Sequence, residues 1–290
     1  MTLGSNLLRL DGFPFEVRYS QGSAVRAKAA ADVAARAYDY FSRLFNGFKP
    51  DIALIVADQL DWADWTHRCP YGLPFFNDDL SDVRPGVVVM PAGSGDFWHS
   101  IAQALREAST DEYALLLAAY PNDGNDVDLQ PFFDLITIHE LGHVFEVLGG
   151  LRLPTFWLGE IFANLALHTF VATQQPASLE TLEVLPSVGA GSSVLATRMQ
   201  TSGYNTLEEL EAHYTGGDDA MDALNYVWYQ CKWQRLAAAI FESDGEDALV
   251  RFWDCFRPSN ENGEVTEAAL TNLLTTEVSA TLGRAIQDWH

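Results

Sequence analysis

The chain has 290 residues, 48% of them hydrophobic, a composition normal for a folded globular protein with a sizeable core. Its 17 basic and 40 acidic residues give a formal charge of −23, which argues against nucleic acid or an anionic membrane as partner. No run of about 18 or more uncharged apolar residues occurs, so no membrane span is expected. The start, MTLGSNLLRLDGFPFEV, lacks both a basic segment and a long apolar segment of the signal-peptide kind, and a cytoplasmic location is expected. Cys69, Cys231 and Cys255 are widely spaced and form no C-x-x-C pair, which reads as reduced structural thiols.

In chain order, FEVRYS alternates as a strand does. SAVRAKAAADVAARAYDYFSRLF then repeats apolar and alanine positions at helical spacing until Gly47 and Pro50 stop it. DIALIVAD and the proline-bounded PGVVVMP read as further strands, and DQLDWADW, with Asp61 and Asp64, as a capped, solvated loop. From about residue 96 the pattern is helical, through GDFWHSIAQALREA, DEYALLLAAY and DLQPFFDLITIHELGHVFEVLGG. In the last, Pro131 suits an early helical position and Gly149 with Gly150 a stop, so a helix is expected from about 130 to 148. After the connector LRLPTF, LGEIFANLALHTFVATQ reads as a second helix and PASLETLEVLPSVGAGSS as an irregular connection. Further helices are expected at 206–214, with Thr206 and Glu209 as a capping box, and at 220–242, 245–257 and 264–288.

The stretch TIHELGHVF sets polar groups among apolar ones, where burial is costly. Residues four apart on a helix share a face, so His139 and His143 can aim their imidazoles at one point of metal size. Glu140 lies about 100° around the helix, where its carboxylate reaches a water on the metal without being a ligand. Catalytic zinc takes three protein ligands and keeps a fourth position for water, so a third ligand must come from elsewhere. Glu160, sixteen intervening residues after His143 on the next expected helix, is the choice. Asn164, four residues further on the same face, is expected to accept the proton of a zinc-bound imidazole as an outer partner. Glu146 reads as a solvated acid or a partner to a base, and His168 as a helix-face histidine with its own hydrogen bond. His67, His99, His213 and His290 read as surface or structural residues.

With HELGH followed by WLGEIFAN, the chain resembles the gluzincin metallopeptidases, the thermolysin-like and aminopeptidase-type zincins. In these an H-E-x-x-H helix precedes a helix bearing a glutamate ligand. Trp157 and Ala163 match the aminopeptidase-type surroundings of that glutamate, while Asn164 stands where thermolysin-like members have aspartate. The resemblance implies His139, His143 and Glu160 as zinc ligands and Glu140 as base. Through YQCKWQRLAAAIFESDGEDALVRF it also implies Tyr229 as hydroxyl donor to the oxyanion, with Tyr226 as runner-up. It implies, too, an edge strand that pairs with substrate backbone, and PGVVVMPAGSG resembles that strand in position.

The expected fold is therefore α+β, a single zincin-like domain over residues 1–290. It has a small N-terminal mixed α/β lobe to about residue 150 and a mainly helical C-terminal lobe over 151–290, with zinc in the cleft between. The expected function is zinc-dependent hydrolysis of peptide or other amide bonds through a zinc-bound water activated by Glu140, with a peptide or protein as substrate. The alternative is a catalytically inactive, zinc-stabilised binding module of the same fold. Oligomeric state is left open.

Overall fold

A computed structural model of the chain describes residues 6–66, 70–77, 86–93, 95, 102–103, 106–107, 109–124, 126–193, 195–197, 205–215, 223–257 and 266–289. The fold is mixed α+β. The described residues divide into two compact units, one within Met1–Glu107 and Tyr120–Gly149, the other within Ala108–Ala119 and Gly150–His290. The expected helix GDFWHSIAQALREA lies mostly outside the described residues, as do His67, His99, His290 and Cys69.

The first unit is built on a five-stranded sheet. Its strands are β1 (Leu8–Leu10), β2 (Glu16–Tyr19), β3 (Ile52–Ala57), β4 (Phe75–Asn77) and β5 (Gly86–Pro91), in the order β1-β2-β3-β5-β4. β2, β3 and β5 run parallel, while β1 and β4 are antiparallel to their neighbours at the two edges. Every residue of β3 and β5 is buried, which suits strands covered on both faces. Ile55, Ala57, Val87 and Val89 pack on Trp62 and Trp65 of α2 (Gln59–Thr66). The alternate residues of β5 face α4 (Gln130–Leu148): the Met90 sulfur accepts from the Thr137 hydroxyl at 2.9 Å, and a side chain at Gly86 would meet Leu148 and Val144. α1 (Ala24–Leu44) buries Ala27, Ala30, Ala31, Ala34 and Ala37 on one stripe, and α4 packs against it.

Two expectations are corrected in this unit. DQLDWADW is a helix, not a loop: Asp58 Oδ1 accepts from the Leu60 and Asp61 amides, and the buried tryptophans repay the folding of a short segment. Asp61 is also the acceptor of the Ser20 hydroxyl, at 2.5 Å. PGVVVMP is the inner strand β5, and the edge beside it is β4, a three-residue strand too short for its alternation to be read.

The second unit is helical. Its elements are α3 (Thr110–Ala119), α5 (Phe156–Gln174), a 3₁₀ turn (Pro176–Ser178), α6 (Leu179–Gly191), α7 (Leu207–Thr215), α8 (Ala223–Asp244), α9 (Asp247–Cys255), α10 (Glu267–Leu273), a π turn (Leu274–Val278) and α11 (Ala280–Gln287). α5 is buried on all sides from Trp157 to Val171, which makes it the central helix, and α8 packs along both α5 and α6. Its first amide, Phe156 N–H, is caught by both carboxylate oxygens of Glu211 in α7, at 3.0 and 2.9 Å. The capping box of α7 forms as expected: Thr206 Oγ1 accepts from the Glu209 amide, and Glu209 Oε2 from the Thr206 amide, each at 3.1 Å.

PASLETLEVLPSVGAGSS is not irregular. It holds the 3₁₀ turn and α6, which contains Pro186, because Leu182, Leu185 and Val188 are buried and that burial outweighs one missing amide donor. The expected helix at 264–288 is broken: Ser279 adopts an extended backbone, and its hydroxyl oxygen caps α11 by accepting from the Thr281 and Leu282 amides. Gly283 allows α11 to press on the π turn, since a Cβ there would lie 2.8 Å from the Thr275 Cα. Among the described residues, no helix is long and apolar enough to cross a membrane.

Candidate metal centre

α4 carries the histidine pair. Asp128 accepts from the Gln130 amide at its start, and at its end Gly150 takes a φ of 71°, a conformation that favours glycine. His139 and Glu140 are buried among the apolar residues of this helix, and His143 is half-buried. One helical turn brings the His139 and His143 Nε2 atoms to 3.1 Å. Two nitrogens bound tetrahedrally to zinc, with bonds of about 2.0–2.1 Å, would stand about 3.3 Å apart. The pair is thus spaced for a shared cation. Glu146 Oε2 lies 3.0 Å from His143 Nδ1 and accepts that nitrogen's proton, which leaves the Nε2 lone pair turned to the common point. Of the two readings of Glu146, partner to a base is the one observed, and its spacing of three residues from His143 is a signal visible in the sequence.

Glu140 is held from the edge of the sheet. The Phe76 amide of β4 donates to Glu140 Oε2 at 2.8 Å, a contact that orients the carboxylate. Nothing in the short FFN strand marks Phe76 for this part.

Glu160 lies in the first turns of α5. The Gln230 side chain of α8 donates through Nε2 to Glu160 Oε2 at 2.5 Å and to the Tyr226 hydroxyl oxygen at 2.8 Å, and the Tyr226 hydroxyl is 3.5 Å from Glu160 Oε1. His139 and His143 belong to the first unit and Glu160 to the second. Two imidazoles and one carboxylate are a donor set that suits zinc.

Two residues make contacts of another kind. Asn164 Nδ2 donates to the Glu160 backbone carbonyl at 2.8 Å and to Gln230 Oε1 at 3.0 Å, because its helix face points at α8. Tyr229 is fully buried, stacks on Trp289, and gives its hydroxyl proton to the Thr206 carbonyl at 2.8 Å. It is one residue away from the face of α8 that carries Tyr226 and Gln230, and Tyr226 is the tyrosine that approaches Glu160. His168 behaves as expected, with its Nδ1 3.4 Å from Gln234 Nε2, and burial pushes its pKa down to about 4. His213 is exposed. Burial pushes the Cys231 thiol up to about 12, which makes it an inert structural group.

Comparison of the chain with protein-family models, with curated protein sequences and with solved structures finds no match.

Proposed function

We propose that the protein is a zinc-dependent metallopeptidase of the gluzincin type, with a zincin-like catalytic fold, that hydrolyses peptide bonds. The observation that carries this reading is the convergence of the His139 and His143 Nε2 atoms at 3.1 Å, on the helix that also bears Glu140. The carboxylate of Glu160, which Gln230 Nε2 contacts at 2.5 Å, is the third donor of this reading. His139, His143 and Glu160 would hold the ion. Zinc bound there supplies Lewis acidity, which makes a water nucleophilic near neutral pH and polarises a carbonyl. Glu140 takes the proton of the attacking water on its carboxylate and delivers it to the leaving nitrogen. The Phe76 amide keeps that carboxylate in one orientation. Tyr226 donates its hydroxyl proton to the oxyanion. The edge strand β4, not β5, is where a substrate backbone would add.

One contact favours a second reading, a zinc-stabilised module without activity: the Phe76 amide already engages an oxygen of Glu140. Metal analysis of the purified protein, with a peptide-library cleavage assay in the presence and absence of a chelator, separates the two. One zinc per chain and chelator-sensitive cleavage are expected. Glu140→Gln is expected to keep the zinc and lose about 10²–10⁴-fold in turnover. Zinc without any cleavage leaves the inactive module, and the lack of stoichiometric metal overturns both readings.

A further inference from the structure

α5 and α8 meet along a polar seam. On α5, Glu160, Asn164 and His168 are four apart, and on α8, Tyr226, Gln230 and Gln234 have the same spacing, so each set lies on one helix face. The seam pairs Glu160 with Gln230 and Tyr226, Asn164 with Gln230, and His168 with Gln234. Buried polar groups of this kind stabilise a fold no better than apolar ones would, so their arrangement calls for another reason.

We propose that Gln230 is a positioning residue for Glu160, whose amide holds one carboxylate oxygen so that the other, Oε1, is presented to a cation in a fixed orientation. The proposal rests on the reading of Glu160 as a metal ligand. An amide turned by 180° would set its own oxygen against the carboxylate, and a chain of contacts prevents that turn. The Glu160 backbone carbonyl accepts from Asn164 Nδ2 at 2.8 Å, and Asn164 Nδ2 also donates to Gln230 Oε1 at 3.0 Å. Gln230 Nε2 is thereby left facing Glu160 Oε2, at 2.5 Å. The amide is neutral, so it orients the carboxylate without cancelling the charge that attracts a cation, as a lysine or arginine would. The same nitrogen donates to the Tyr226 oxygen at 2.8 Å, so the Tyr226 hydroxyl acts as a donor, with Glu160 Oε1 as its acceptor at 3.5 Å.

The test is Gln230→Met, which keeps the length and helix preference of the side chain and removes the amide. Zinc affinity by chelator competition, the visible spectrum of the cobalt-loaded protein, and Tm of the metal-free protein are measured on the full chain. The expected result is zinc affinity about 10–100-fold weaker and a shifted cobalt spectrum, with the metal-free Tm within a few degrees of wild type. Asn164→Ala gives a second route to the same readout. It is expected to weaken zinc in the same direction, and the double variant to be no weaker than Gln230→Met alone, because Asn164 acts through Gln230. Folded Gln230→Met with wild-type zinc affinity and cobalt spectrum overturns the inference, as does full additivity of the two substitutions. Wild-type protein that binds no zinc overturns the metallopeptidase reading itself.

Discussion

Helices α4 and α5 each have 19 residues and each lies in the interior of its own unit, but they hold their polar groups by different means. On α4, His139 and His143 are one turn apart and Glu146 is three residues on, so a single helix sets the distances among all three. On α5, the carboxylate of Glu160 is oriented by Tyr226 and Gln230, which follow it by 66 and 70 residues. The first arrangement exists wherever the helix forms. The second exists only when α8 is packed against α5.

This contrast can be broken most forcefully in the hydrophobic packing. Phe145 of α4 meets the rings of Tyr38, Phe41, Phe45 and Phe48, and Phe162 of α5 meets Phe252 and Trp253. Phe145→Ala and Phe162→Ala are each expected to cost about 3–5 kcal/mol in denaturant unfolding, since both rings are fully buried. Under conditions where both variants remain folded, zinc titration is expected to show weakened binding for Phe162→Ala and much less change for Phe145→Ala. Equal losses would refute the distinction between local and long-range order.

A smaller effect, confined to acid, sharpens the picture of the seam. Burial holds His168 neutral in the folded chain down to about pH 4, whereas in the unfolded chain it takes up a proton near the ordinary histidine value of 6.5. The unfolded state therefore binds one more proton between these two values. The stability attached to the neutral imidazole is complete above pH 6.5 and is lost as pH falls toward 4, by about 3 kcal/mol in all. Tm measured from pH 7 to pH 4 is expected to fall less steeply for His168→Leu than for wild type. Parallel curves would mean that this histidine does not titrate differently on unfolding.

The smallest expected change is at Glu146. Glu146→Gln is expected to weaken zinc by about 10–100-fold in chelator competition, because His143 Nδ1 loses its charged acceptor. In combination with Gln230→Met the losses are expected to add, since the two residues act on different ligands.

Much of the molecule was legible because local rules and burial agreed. The strands at 52–57 and 86–91 show as apolar runs bounded by turn residues, and the helix at 130–148 is bracketed by Pro131 and Gly149. Where they disagreed, burial won. Pro186 lies inside α6 and acidic residues lie in α2, while buried leucines and tryptophans hold both as helices. The break at Ser279 carried a readable signal, a serine ahead of two amides it could cap, within a pattern long enough to pass for one helix. Tyr229 and Tyr226 stand three residues apart on α8, and Tyr226, four before Gln230, is the one that shares the side of Gln230.

By itself, the amino-acid sequence determined the histidine pair, Glu140 beside it, the helices that carry them and the mixed α+β class, because each depends on spacing within one segment. The tertiary structure alone decided that β4 is the edge whose amide holds Glu140, that Asn164 donates to Gln230, and that Tyr226 approaches Glu160. These are hydrogen bonds between side chains or strands more than sixty residues apart. Their partners are chosen by which helix faces pack together, and periodicity along one segment does not encode that choice.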